Sequence, residues 1–115
     1  MLFVCYPKCT TCQKAKKWLV ANNIEFTERH IAEDKPSYEE LKEWYAKSGL
    51  PLKKFFNTSG GLYKELKLKD KLPSMSEEEQ LQLLSTNGML VKRPIVVDGD
   101  KVLVGFKETD YEWLK

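Results

Sequence analysis

Three cysteines lie within a single short stretch of this chain, CYPKCTTC, which runs from residue 5 to residue 12. Their spacing, C-x3-C-x2-C, could supply thiolate ligands to a metal ion or to an iron–sulfur cluster. It could also supply two thiols that form and break a disulfide. The chain has no other cysteine, so any thiol chemistry depends on these three and on the backbone that positions them.

The elements around the cysteines can be predicted from periodicity. LFVCY is a short apolar run that ends at Pro7, as expected for a buried strand. From Thr10 to about Asn23 the apolar residues recur at helical spacing, and IEFTERHI alternates as a second strand would. A strand, a helix and a strand within roughly thirty residues predict a βαβ unit with parallel strands.

The middle of the chain is predicted to be helical. Two capping boxes begin helices at Ser37 and at Ser76, because each serine is followed three residues later by a glutamate. Gly49 and Gly88 are expected to end these helices. Short helices broken at Gly60-Gly61 are expected between them.

The last part of the chain returns to strands. PIVV and KVLVGF flank DGD, which indicates a hairpin, and ETDYEWL is predicted to be a closing helix. There are no repeats and no low-complexity linkers. Residues 1–115 are therefore interpreted as one α/β domain, a βαβ unit plus a β-hairpin and a closing helix, with a helical insertion at about 37–87.

These elements favour a redox pair over a metal site. Cys5 falls inside the first strand, where a thiol is expected to be a small buried apolar side chain. A cluster needs thiolates that converge from a loop, and a zinc site would need a fourth ligand when His30 is the only histidine. Radical-SAM enzymes share the cysteine spacing but need a barrel much larger than this chain. No metal ligand and no bound cofactor are predicted.

Cys9 and Cys12 form a C-x-x-C motif at the predicted strand-to-helix turn, which is typical of a thioredoxin-like fold. Cys12 shares the inward face of the helix with Ala15 and Leu19, so we expect it to be covered. Cys9 is expected to be exposed, where unpaired N–H groups, the helix dipole and Lys8 would stabilise its thiolate. The prediction is that Cys9 attacks and that Cys12 resolves.

Three stretches, YPKCTTCQKAKKWL, KRPIVV and VLVGF, resemble the arsenate reductase (ArsC) family and its Spx-type relatives, and the similarity covers essentially the whole chain. The resemblance implies a thioredoxin-like fold with a helical insertion. It also implies a cis peptide bond before Pro94, beside the nucleophilic cysteine, and a guanidinium of Arg93 that faces the site. The predicted catalytic residues are thus Cys9, Cys12, Arg93 and Pro94.

The chain departs from the arsenate reductases of this family in its anion-binding residues. Its loop reads CTTCQ where those enzymes have a pattern like C-G-T-S-R, and Asn57 lies about where a second arginine is expected. Arg29 and Arg93 are its only arginines, so a clamp of several arginines cannot form, although Lys8 and Lys107 could act as point charges. These departures disfavour arsenate and are closer to the Spx-type branch and to small thiol reductases.

Two functions remain open. One is a thiol:disulfide oxidoreductase or arsenate reductase-like enzyme that acts on a thiol or disulfide substrate or on a redox protein, with glutathione, glutaredoxin or thioredoxin as the electron donor. The other is an Spx-like redox-responsive regulator that binds RNA polymerase. Residues 51–72 carry six lysines against two acidic residues and could meet an acidic partner surface. No helix-turn-helix pattern is present, so direct nucleic-acid binding is not expected.

The composition is ordinary for a globular protein, with 42% hydrophobic and 31% charged residues, and disorder is not expected. No apolar run approaches the roughly eighteen residues of a membrane span, and MLFVCY lacks the basic lead-in of a signal peptide. We therefore expect a cytoplasmic protein with no membrane partner. In that reducing compartment clustered cysteines more often serve redox or metal chemistry than structural disulfides.

Overall fold

The computed structural model describes the whole chain, residues 1–115. Its strands are β1 (Leu2–Cys5), β2 (Thr27–His30), β3 (Ile95–Asp98) and β4 (Lys101–Val104). Its helices are α1 (Thr10–Ala21), α2 (Tyr38–Ser48), α3 (Gly61–Glu65), α4 (Leu68–Lys71), α5 (Glu77–Thr86) and α6 (Glu108–Tyr111), with short 3₁₀ turns at Leu52–Phe55, Leu72–Ser74, Gly88–Leu90 and Glu112–Leu114. None of these helices has both the length and the apolar character needed to cross a membrane.

The four strands form one mixed sheet in the order β2-β1-β3-β4. β1 pairs with β2 in parallel, while β3 runs antiparallel to both β1 and β4. The parallel pair and α1 are the predicted βαβ unit, and β3 and β4 are the predicted hairpin. Gly99 turns that hairpin with a φ of +60°, a conformation that favours glycine. The predicted α/β fold class is confirmed.

Apolar clusters cover both faces of the sheet because successive residues of the central strand point to opposite sides. Phe3 and Cys5 face α1 and pack in a cluster with Cys12 and Leu19. Val4 faces the other side and packs with the helices that lie between β2 and β3 in the chain. All three of these β1 residues are buried. The first strand therefore anchors the segment that carries the other two cysteines.

The chain between β2 and β3 is helical, as predicted. Both capping boxes form: the Ser37 and Ser76 side chains each accept a hydrogen bond from the backbone of the third helical residue, and the glutamate there bonds back. Gly49 closes α2 in the left-handed conformation, with a φ of +67°. That this segment is an insertion into a single domain stays a prediction.

The glycine predictions in this segment hold only in part. Short helical segments are interrupted before α3, as predicted, and Gly60 is the N-cap of α3, but Gly61 is the first residue of that helix rather than part of the interruption. Gly88 does not close α5, which ends at Thr86, but lies in the following 3₁₀ turn. A Cβ at Gly88 would lie 1.8 Å from the carbonyl oxygen of Ile31, so close backbone packing rather than helix capping requires glycine there.

Candidate active site

Cys9 lies directly before α1 and is the N-cap residue of this helix, with extended backbone angles. Its N–H donates to the carbonyl oxygen of Tyr6 at 2.9 Å, and its own carbonyl accepts from the N–H of Gln13 at 3.0 Å. The Gln13 side-chain amide donates to the carbonyl of Pro7 at 3.1 Å, which fastens the turn. The first turn of α1 contains no acidic residue. The thiol thus sits at the positive end of the helix without a competing negative charge.

The environment of Cys9 favours its thiolate. Partial burial raises the pKa, but hydrogen bonds from the N–H and the thiol of Cys12, from the Arg93 side chain and from the N–H of Thr11 together lower it below the ordinary value. The Cys9 side chain does not itself cap α1 with a hydrogen bond. Of the two cations predicted near Cys9, Arg93, which the family resemblance implied, is among the groups that lower this pKa, and Lys8 is not.

The exposure of Cys9 differs from the prediction. Its side chain is half-buried rather than exposed, because it packs against the apolar cluster on the α1 side of the sheet. Cys9 is the least buried of the three cysteines, because Cys5 and Cys12 are each 2% exposed.

Cys12 lies three residues further on and is covered, as predicted, with 2% of its surface exposed. Its sulfur accepts a hydrogen bond from the backbone N–H of Tyr6 at 3.3 Å. Burial is the main cause that raises its pKa to about 12; the Tyr6 hydrogen bond opposes this increase, and a negative charge on Cys9 adds to it. The motif therefore places a thiol that favours ionisation beside one that stays protonated.

Arg93 approaches this pair from the other end of the chain. Its guanidinium carbon lies 5.1 Å from the centroid of the Tyr6 ring, and one of its nitrogens lies 4.0 Å from the sulfur of Met89. None of the ion pairs of the molecule involves Arg93. Its charge is consequently available to a thiolate or to an anionic substrate.

The peptide bond between Arg93 and Pro94 is cis, as the family resemblance implied. Pro94 is buried and precedes β3, and its carbonyl accepts a hydrogen bond from the N–H of Gly105 at 2.8 Å. This bond ties the loop that carries Arg93 to the end of β4.

Cys5, the remaining cysteine, is separated from this chemistry by burial. Only 2% of its surface is exposed, and its thiol donates to a carboxylate oxygen of Glu28 at 3.5 Å. Burial, followed by the Glu28 charge, raises its pKa to about 12. Glu28 also pairs with Lys16 at 2.7 Å. The structure places no three His, Cys, Asp or Glu side chains where they could share a metal ion.

Other residues singled out from the sequence are engaged elsewhere. Arg29 binds both carboxylate oxygens of Glu40, at 2.6 and 2.9 Å, and so braces β2 against α2. Asn57 is buried, and its side chain lies against Gly60. The imidazole Nδ1 of His30 accepts two backbone N–H groups of its own loop. None of the three supplies a second cation to Cys9.

Two tyrosines contribute to the site although the sequence reading did not include them. Tyr6 holds the Arg93 guanidinium on its ring face and donates its N–H to Cys12. Tyr111 is buried in the cluster that contains Cys12, and its hydroxyl donates to the carbonyl of Gly105. The only local signal was that Tyr6 precedes the motif, because the contact of Tyr6 with Arg93 and the packing of Tyr111 with Cys12 join distant parts of the chain.

The chain is similar to one protein family and to several known proteins over nearly its whole length. The ArsC family matches residues 5–114. Uncharacterized protein YusI of Bacillus subtilis (strain 168) is 62% identical over 112 residues, which are 97% of this chain and 95% of YusI. Regulatory protein MgsR of the same organism is 37% identical over 92% of this chain and 82% of its own length.

Solved structures agree with the fold. A protein from Bacteroides fragilis, described as related to the ArsC family, has a TM-score of 0.98 and 66% identity, covering 99% of this chain and 96% of that one. A possible arsenate reductase from Streptococcus mutans UA159 has a TM-score of 0.88 and 40% identity, with 96% of each chain covered. The thioredoxin-like fold predicted from the sequence is confirmed by these neighbours.

Proposed function

Because this chain belongs to the ArsC family, we propose that it is a thiol-dependent reductase in which Cys9 is the nucleophile and Cys12 is the resolving thiol. The observation that carries the proposal is the geometry of the two thiols: Cys9 is the half-buried N-cap of α1, and Cys12, three residues further on, is 2% exposed. The pKa of Cys9 is lowered and that of Cys12 is raised to about 12. Groups whose environments separate their pKa values in this way can divide the roles of attacking and resolving thiol.

In the first step the Cys9 thiolate attacks one sulfur of a substrate disulfide. A bond forms between the Cys9 sulfur and that substrate sulfur, the substrate S–S bond breaks, and the other half leaves as a thiolate that takes a proton. Arg93 and the N–H groups at the start of α1 hold the attacking thiolate before this step. Arg93 can then interact with the departing negative charge.

In the second step Cys12 displaces the product. Once Cys9 is part of a neutral mixed disulfide, its negative charge no longer raises the pKa of Cys12, while the Tyr6 N–H still supports the Cys12 thiolate. Cys12 loses its proton and bonds to the Cys9 sulfur, and the substrate leaves as a thiol. The step is intramolecular, so its rate should not depend on external thiol. Two electrons have then passed from the cysteine pair to the substrate.

A new cycle needs an external dithiol or two monothiols to reduce the Cys9–Cys12 disulfide. We propose glutathione, glutaredoxin or thioredoxin for this step, and the reducing cytoplasm as its location. The single free arginine supports a disulfide substrate over arsenate. An oxyanion with several negative oxygens is best held by several arginines, and Arg29 is already paired with Glu40.

A redox-responsive regulator is the second candidate, and the similarity to the regulatory protein MgsR favours it. The same cysteine pair would then act as a switch whose disulfide changes the binding of a partner, which the resemblance to Spx-type proteins implies to be RNA polymerase. Recovery of RNA polymerase with the tagged protein, in one redox state only and without turnover of any small disulfide, would support the regulator instead of the reductase.

Serine variants of the two cysteines test the dithiol mechanism. After exposure to oxidised glutathione, intact-mass measurement should find a stable glutathione adduct on Cys12→Ser, because the first step occurs and the resolving thiol is missing. Cys9→Ser should form no adduct, because Cys12 is buried and protonated. An adduct on Cys9→Ser at a comparable rate would reverse the two roles. Full turnover by Cys12→Ser with glutathione or glutaredoxin would instead indicate a monothiol mechanism.

A further inference from the structure

A large cleft borders the first turn of α1, the turn that follows Cys9, although neither cysteine of the pair lines it. Its volume is about 880 Å³, near the upper end of the range for small-ligand sites, so it has room for several residues of an extended peptide. Thr11, in the first turn of α1, lines the cleft, and the N–H of Thr11 is one of the groups that lower the pKa of Cys9. One residue of the cleft lining is therefore only two positions from the proposed nucleophile.

The cleft is also tied to the Arg93 loop. Gly105 is a lining residue, and its N–H donates to the carbonyl of Pro94, the residue that follows Arg93. A substrate that lies in the cleft would thus contact two segments that border the site, the start of α1 and the end of β4.

The cleft is lined by more positive than negative side chains. Its ionisable lining residues are four lysines, Lys53, Lys54, Lys92 and Lys107, and one acid, Asp110. The balance is four positive charges against one negative, a net charge of +3, although the whole chain carries only +2. None of these lysines takes part in an ion pair. The lysines would attract an acidic ligand.

The remaining lining residues are largely apolar and aromatic. Strand β4 contributes Val102, Leu103 and Val104, and the side chains of Phe106 and Trp113 extend the apolar surface. Trp113 is 71% exposed, and exposed aromatic side chains often anchor bound polypeptides. Apolar surface bordered by lysines suits a chain that alternates acidic and apolar side chains.

We propose that this cleft binds an acidic, extended polypeptide segment of a protein substrate and presents the neighbouring cysteine or disulfide of that substrate to Cys9. The inference rests on the proposed reductase function, since it names the substrate class of the same site. A polypeptide is favoured over a nucleic acid because only the former supplies the sulfur on which Cys9 acts.

Binding can be measured without any redox step. The probe is a cysteine-free peptide of alternating glutamate and valine, and the reference is the same peptide with glutamine in place of glutamate. Titration into Cys9→Ser, followed by tryptophan fluorescence, should show tighter binding of the acidic peptide, with an affinity that falls as salt is added. Trp113→Phe should remove most of the signal if the peptide lies in the cleft.

Lysine variants locate the site. Lys53→Gln/Lys54→Gln should weaken binding of the acidic peptide about fivefold, as expected for two exposed ion pairs. Lys42→Gln/Lys71→Gln is the matched control, because these lysines are also exposed and unpaired but do not line the cleft. Equal losses in both variants would show a non-specific charge effect and overturn the proposal.

Turnover then separates this proposal from the proposed function. Wild-type protein should reduce a mixed disulfide of the acidic peptide with a kcat/KM about tenfold above that of the neutral one, and Lys53→Gln/Lys54→Gln should lose the preference while keeping the neutral rate. Equal turnover of both substrates would overturn the cleft assignment and leave the reductase intact. If neither mixed disulfide is reduced, the proposed reductase function is refuted. The fluorescence titration would then still show whether the acidic peptide binds in the cleft. Displacement of the acidic peptide by a single-stranded oligonucleotide that binds more tightly would overturn the polypeptide assignment.

Discussion

Removal of the Arg93 charge should change how the reactivity of Cys9 depends on pH. Arg93→Met keeps much of the side-chain length and removes the guanidinium that helps lower the pKa of Cys9. Arg93 forms no ion pair, and its contacts are with the Tyr6 ring and the Met89 sulfur. We therefore expect the substitution to raise the pKa of Cys9 with little loss of folding stability.

The size of the effect can be bounded. A hydrogen bond to a charged group contributes about 1.5–3 kcal/mol when it is well buried. Cys9 is only half-buried, and solvent screening reduces this to about 1 kcal/mol. That energy is a change of about fivefold in the thiolate equilibrium. The intrinsic nucleophilicity of a thiolate rises as its pKa rises, with a Brønsted slope near 0.4–0.5, and this offsets about half of the loss.

The two effects produce profiles that cross. At pH values well below the pKa of Cys9, Arg93→Met should be alkylated about 2.5-fold more slowly than wild type, since fewer molecules carry the thiolate. Well above the pKa both proteins are fully ionised, and the variant should then react about twofold faster. The assay is the rate of iodoacetamide alkylation across pH, with the labelled cysteine identified by mass spectrometry and Cys9→Ser as the blank.

The matched control is Lys8→Met, which removes an exposed cation next to Cys9 in the sequence. Its profile should coincide with that of wild type. Superimposed profiles for wild type and Arg93→Met would refute the role of Arg93. A profile that is lower at every pH would point to structural damage, which thermal unfolding would reveal. A shift in Lys8→Met equal to that in Arg93→Met would show that Lys8 also stabilises the thiolate, as its position next to Cys9 in the sequence predicted.

Further predictions concern the rest of the molecule. In the folded protein iodoacetamide should label Cys5 far more slowly than Cys9, because Cys5 is 2% exposed and its pKa is about 12. Equally fast labelling of the two cysteines would contradict the burial of Cys5. The pKa of Glu40 is lowered to about 2, chiefly by its hydrogen bond with Arg29. Its ionised form should therefore contribute about 1 kcal/mol to the free energy of unfolding above about pH 5, a value discounted for solvent screening because the side chain is 35% exposed. This contribution should be lost as the pH falls toward 2. Urea unfolding of wild type and Glu40→Gln should therefore differ at pH 7 and converge near pH 2, and a constant difference would be inconsistent. Gly88→Ala should cost more than about 2 kcal/mol because its Cβ would collide with a backbone carbonyl, whereas Gly61→Ala, which has open space around it, serves as the control for the same unfolding measurement.

Several features of this protein follow from short stretches of its sequence. The βαβ unit, the two capping boxes and the hairpin were predictable, because helix and strand periodicity and N-cap hydrogen bonds involve residues only a few positions apart. The burial of Cys12 followed from its place on the same helical face as Ala15 and Leu19. The low pKa of Cys9 also has a local component, namely the N–H groups of the next helical residues.

The tertiary structure decided which distant groups meet the cysteines. Pairing of β1 with β2 brings Glu28 beside Cys5, and the loop before β3 carries Arg93 onto the ring of Tyr6. The same packing gathers lysines from separate segments into one cleft. No local pattern encodes these contacts, because they depend on how the elements pack across the sheet rather than on neighbouring residues. The sequence by itself therefore determined the C-x-x-C motif and its place at the start of α1, because these depend on neighbouring residues. Only the tertiary structure decided the contact of Arg93 with the Tyr6 ring and the surface that lies next to the first turn of α1, because these depend on packing across the sheet.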